Sequence, residues 1–132
     1  MTISKSDRYI ASGDDDSTVR VWSFTSQEQI RVLQGHVEWV WSVAISSDEQ
    51  FVVSAGGDRT IRVWSLASGQ TTQVLRGHTG HVLSVNLSSD DKYLVSGGGN
   101  VDPTVRVWDL IRGKKIQILQ GHSNAVWSVN LI

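Results

Sequence analysis

Several residues in the chain have types and spacings that could do chemistry. His36, Ser54 and Asp58 supply the base, nucleophile and orienting carboxylate of a hydrolase triad, and His78, Ser96 and Asp102 follow in the same order. A nucleophile repeated in tandem, without a Gly-x-Ser-x-Gly elbow, makes little sense as an active site. No enzyme activity is expected. His78 and His81 are the only close histidine pair, and no neighbouring carboxylate or thiolate completes a zinc shell, so no metal is expected. "GDDDS" at Gly13–Ser17 suggests calcium, but counting from Asp14 the EF-hand glycine and glutamate positions are Val19 and Thr25. "GGGN" at Gly97–Asn100 lacks the Gly-Lys-(Ser/Thr) ending of a phosphate loop, and no cofactor is expected.

The spacing of these residues has another origin. Gly-His recurs at His36, His78 and His122, and Val-Trp at Trp22, Trp64 and Trp108, both separated by 42 and then 44 residues. "TISKSDRYIASG", "AISSDEQFVVSAG" and "NLSSDDKYLVSGG" keep the same phase, with one two-residue insertion near "GGGNVDP". The chain is therefore an internal repeat, which takes precedence over any single motif. Within one period, "VWSVAI", "FVVSA", "TIRVWS" and "TTQVL" are short β-branched or aromatic runs separated by turn residues, and they read as four strands.

With 132 residues, 39% hydrophobic and 19% charged, the chain has one domain's worth of ordinary globular sequence. A net charge of −1 gives no basic field for nucleic acid or an anionic membrane, and neither partner is expected. Absence of cysteine removes disulfides and thiolate sites. No apolar run reaches membrane-spanning length, and a cytoplasmic location is the expectation.

Gly-His followed by "SGDDDSTVRVW", "SAGGDRTIRVW" or "SGGGNVDPTVRVW" resembles the WD-repeat β-propeller family. The Trp-Asp dipeptide itself is intact only at Trp108-Asp109. The resemblance implies an all-β fold of four-stranded antiparallel propeller blades, three per chain. It implies one WD-repeat region over 1–132, with repeats in phase at about 1–42, 43–84 and 85–128. Residues 125–132 are expected to supply the innermost strand of a further blade, and the first blade to lack its own. The family's buried hydrogen-bonded set would be His36, Ser54, Asp58 and Trp64 in one blade and His78, Ser96, Asp102 and Trp108 in the next. Ser96 and Asp102 are six apart rather than four, a spacing at which the carboxylate could fall short of His78.

The set Ser12, Asp16 and Trp22 has no histidine before it, and His122 has no set after it. Each completes the other if copies join head to tail. Three blades cannot bend into a ring, since propellers typically have 4–8. Each open end would expose roughly 250 Å² of sheet face, about 6 kcal/mol at ~25 cal/mol/Å². A homo-oligomer is expected, a dimer of six blades before a trimer of nine; the rival is an excerpt of a longer array. The expected function is a non-catalytic scaffold binding a protein or peptide; the alternative is a purely structural unit whose effector domain lies elsewhere. By the resemblance, Glu38, Trp39, Trp41, His81, Leu83 and Trp127, with Asp15, Arg59 and Val101 beside the turn aspartates, line the partner face. Trp41 and Trp127 could instead fill the seam between blades. Arg20, Arg62 and Arg106 recur in phase; packed stems with paired guanidinium groups are expected rather than a nucleic-acid track.

Overall fold

The computed structural model describes residues 2–4 and 8–129, arranged as three four-stranded antiparallel sheets with no helix among them. The first sheet holds β1 (Thr2–Ile3), β2 (Tyr9–Gly13), β3 (Thr18–Ser23) and β4 (Gln29–Gln34). The second holds β5 (Val40–Ile45), β6 (Phe51–Gly56), β7 (Ile61–Ser65) and β8 (Thr71–Leu75). The third holds β9 (Val82–Leu87), β10 (Tyr93–Gly98), β11 (Val105–Asp109) and β12 (Lys114–Leu119). In each sheet the strands pair in chain order, as successive hairpins do.

Recurring serines close the inner hairpins. The Ser46 hydroxyl donates to Asp48 and accepts from the N–H groups of Gln50 and Phe51. Ser88 does the same with Asp90 and Tyr93, and Ser4 accepts from Arg8 and Tyr9. The turn residues Glu49 and Asp91 sit at φ of 59° and 62°, the left-handed region that lets a tight hairpin reverse.

Period-two alternation sends each sheet's two faces to different neighbours. Val52, Trp64 and Leu66 of the second sheet bury against Ala11, Val19, Val21 and Leu33 of the first. Val53, Ala55, Ile61, Val63 and Leu75 bury against Leu94, Trp108 and Leu110 of the third. Polar clamps join the same neighbours: Asp91 accepts from the Ser47 hydroxyl at 2.7 Å and its N–H at 2.9 Å. The sheets are therefore stacked blades, and the stack is open. Ile10, Trp22 and Phe24 occupy in the first blade the phase of Val52, Trp64 and Leu66, yet Phe24 is exposed. At the other end Ile116, Ile118 and Leu119 are exposed.

One expectation needs correction. The first blade does not lack its innermost strand: Thr2 and Ile3 pair with Ala11 and Ile10. Residues 1–3 match Val43–Ile45, the end of β5, so a short inner strand remains to complete the ladder. Residues 125–129 do not form a strand in any sheet. They nevertheless lie in phase: the Val126 N–H donates to Gly98 O at 2.8 Å as the Val40 N–H donates to Asp14 O at 3.1 Å. Residues 130–132 of that expected strand lie outside the described residues.

Candidate functional site

The two complete sets are built alike. In the second blade His36 Nδ1 lies 2.9 Å from Asp58 and Nε2 lies 2.6 Å from the Ser54 hydroxyl, which accepts from the Trp64 indole N–H at 2.8 Å. In the third, His78 Nδ1 lies 2.7 Å from Asp102 and Nε2 lies 2.7 Å from Ser96, which accepts from the Trp108 N–H at 2.9 Å. With Nδ1–H donating to the carboxylate, each serine hydroxyl donates to Nε2, and the chain of bonds is satisfied end to end. Burial is then affordable, because every polar atom in it has a partner. Gly35 explains the residue before the histidine: a Cβ there would stand 2.9 Å from the Trp64 ring and 2.8 Å from Arg62 Nη1.

Burial by itself would raise the Asp58 carboxyl, but hydrogen bonds from His36 and Thr60 hold it far below its ordinary value. Asp102 follows the same pattern, lowered against burial by Thr104, the Thr79 N–H and His78. Burial pushes His78 down despite its carboxylate partner. Ser54 and Ser96 are fully buried with both hydroxyl functions engaged, so neither is presented to a substrate.

Asp102 reaches His78 because the insertion falls before it. The second turn closes with the Gly56 N–H donating to Thr60 O, and the third with the Gly98 N–H donating to Thr104 O, so two residues are looped out ahead of Asp102. Asp-x-Thr is kept in both. The middle residue Arg59 has φ of 70°, which Pro103 cannot adopt, and the third turn takes the longer route. The first blade has no histidine: the Trp22 indole donates to Ser12 at 3.4 Å, and Asp16 accepts from Thr18 and Arg20. His122 is exposed and has no hydrogen-bond partner among the described residues. Of the three strand arginines, Arg20 pairs with Asp16 at 3.2 Å and Arg106 with Asp102 at 3.4 Å, whereas Arg62 Nε is buried without a partner.

The loops before β5, β9 and residue 125 open onto one side of the stack with the turns that follow β6 and β10. There Glu38, Trp41, Arg59, His81, Leu83, Val101 and Trp127 line a cavity of about 600 Å³. Trp39 and Asp15 line an adjoining hollow of about 490 Å³ with Glu38, Trp41 and His81. All nine residues thus face connected space. Trp39, Trp41 and Trp127 are 54%, 40% and 70% exposed. Val37, Thr79, Gly80 and Asn100 also line the cavity, and Asn100 accepts from the Ala125 N–H at 2.8 Å. The signal for them is adjacency to Gly-His and to the turn aspartates.

A hydrogen bond with Asp14 and that neighbour's charge raise the Asp15 carboxyl, whereas hydrogen bonds from Thr18 and Arg20 lower Asp16. Among the described residues no cluster of histidines and carboxylates could hold a metal ion, and no helix is long and apolar enough to cross a membrane.

The WD domain, G-beta repeat family matches residues 1–23, 27–65 and 69–109. The chain belongs to this WD-repeat family. Its fold is similar to the solved structure titled "Structure of U3-55K", with a TM-score of 0.84 at 27% identity over 94% of this chain. The WD-repeat chain spans 37% of that larger one. No curated protein sequence matches it. WD repeats are generally non-enzymatic scaffolds that mediate protein interactions, and the three sheets are propeller blades in an unclosed array.

Proposed function

We propose that the chain is a non-catalytic, cytoplasmic scaffold that binds a protein or peptide on the face carrying Trp39, Trp41 and Trp127. The observation that carries the reading is convergence: three exposed tryptophans, from two repeats, meet acidic and aliphatic side chains around connected cavities. Tryptophan is among the residues most enriched where binding energy concentrates. Changing Trp39→Ala together with Trp127→Ala is expected to leave unfolding free energy within about 1 kcal/mol, as for other surface sites. Recovery of a partner by the wild-type chain should be lost in that variant. Collapse of the fold would place these rings in the core and defeat the reading.

A second reading concerns the ends of the stack. The set Ser12, Asp16 and Trp22 lacks a histidine, while His122 lacks a set and residues 125–129 keep the phase of an inner strand. Head-to-tail association of copies would supply each from the other and cover the exposed end faces, with a six-bladed dimer favoured over a trimer. Blades of a longer array carrying its effector elsewhere would cover the same faces. Sedimentation is expected to give a multiple of 14.6 kDa that falls towards the monomer in His122→Ala. A soluble monomer at all concentrations would overturn it.

A further inference from the structure

The hollow shared by Trp39, Trp41 and His81 has a chemistry narrower than general stickiness. Trp39 and Trp41 meet at a centroid distance of 5.5 Å and an angle of 46°, while Trp41 and His81 lie 6.4 Å apart and only 28° from parallel. Trp41 is 40% exposed and lines the hollow beside His81, so a planar cation can stack on its ring. Carboxylates stand at the edges. A Cβ placed at Gly57 would lie 2.9 Å from Glu38 Oε2 and 3.6 Å from Trp41 Nε1, so the carboxylate and the indole nitrogen border the same patch of bare backbone. Glu38 has no hydrogen-bond or ion-pair partner among the described residues, and Asp15 lines the same hollow. Arg59 lines the larger cavity but not this hollow, which leaves the Asp15 side open to a positive charge.

The geometry points to an arginine side chain of the partner peptide as the occupant, its guanidinium stacked on the Trp41 ring beside His81 and its N–H groups donating to Glu38. Guanidinium is planar, stacks on aromatic faces and forks onto carboxylates; an ammonium is a compact point charge that gains less from an aromatic face. This inference rests on the scaffold reading and specifies one subsite of its face.

The test is titration of the isotope-labelled chain with Nα-acetyl-arginine N-methylamide, its lysine counterpart and its neutral citrulline counterpart, followed through the indole N–H signals. The Trp39 and Trp41 signals are expected to move with arginine at an apparent affinity about tenfold above citrulline and about threefold above lysine. Glu38→Gln and Trp41→Leu should each weaken arginine by about fivefold or more while the other indole signals stay in place. Equal response to citrulline, preference for lysine, or unchanged arginine binding in both variants would overturn the assignment. A protein partner held through Trp127 and Leu83 with no dependence on Glu38 would overturn it too, while leaving the scaffold reading intact.

Discussion

Trp64→Ala is expected to lower the unfolding free energy by about 3–5 kcal/mol, the range for emptying a fully buried large aromatic site. The indole is 1% exposed, forms part of the core between the first two blades, and donates the bond that completes the Ser54–His36 chain. Its removal leaves a cavity lined by Val52, Leu66 and first-blade residues, which β-sheets on both sides cannot collapse into. Trp22→Ala changes the residue at the same phase of the first blade, where the ring is only half-buried and borders open space with Ile10 and Phe24. It should cost about half as much or less, since little surface is returned to water and no closed cavity forms. Urea unfolding of both variants under monomeric conditions measures the contrast. Equal losses would mean that the set, rather than enclosure between blades, determines the stability each tryptophan confers.

Asp102→Ala is expected to cost more than Asp58→Ala, about 3–5 against about 1–3 kcal/mol. Both carboxylates accept from a histidine, from the backbone N–H after it and from the threonine two residues on. Only Asp102 also holds a buried arginine: Arg106 Nη2 lies 3.4 Å away, whereas no bond joins Arg62 to Asp58. Deleting Asp102 leaves a buried positive charge without its carboxylate, and deleting Asp58 leaves neutral donors. The pH dependence follows from the depressed carboxyls. Their folded values lie below the ordinary 3.8, so the stability they contribute is fully present above that pH and is lost as pH falls through the folded values. The gap between wild type and either variant should therefore narrow below pH 3.8. His78, also lowered, adds a loss that begins earlier, as the unfolded imidazole takes up a proton below 6.5. Chemical unfolding across pH 7 to about 3 reads both windows. A constant gap throughout would rule out ionised aspartates as the source of the stability.

Repetition made most of this architecture legible without coordinates. Forty-two residues carry four β-branched runs, and a period of two within each run assigns opposite faces to neighbours such as Val52 and Val53, so blades and their stacking follow from local chemistry. The histidine sets were legible only through the resemblance to the WD-repeat family; the cost of an unpaired buried polar group then explains why their members satisfy one another. Tertiary structure decided what depends on where a backbone turns. Counting from Ser96 puts Asp102 two residues too far, but the closing pair Gly98–Thr104 absorbs both before the carboxylate is reached, because Pro103 forbids the tight turn that Arg59 makes. The arginines share a phase in sequence yet differ in space, Arg106 paired and Arg62 Nε unpaired, since side-chain pairing is settled within a few tenths of an ångström. Exposure of Trp41 was likewise open in the sequence: a tryptophan at a strand end fills a seam or faces solvent according to the curvature of the neighbouring loops. Gly57 beside the Trp41 indole, and Gly80 and Gly99 elsewhere on the cavity wall, add no side chain to fill that space.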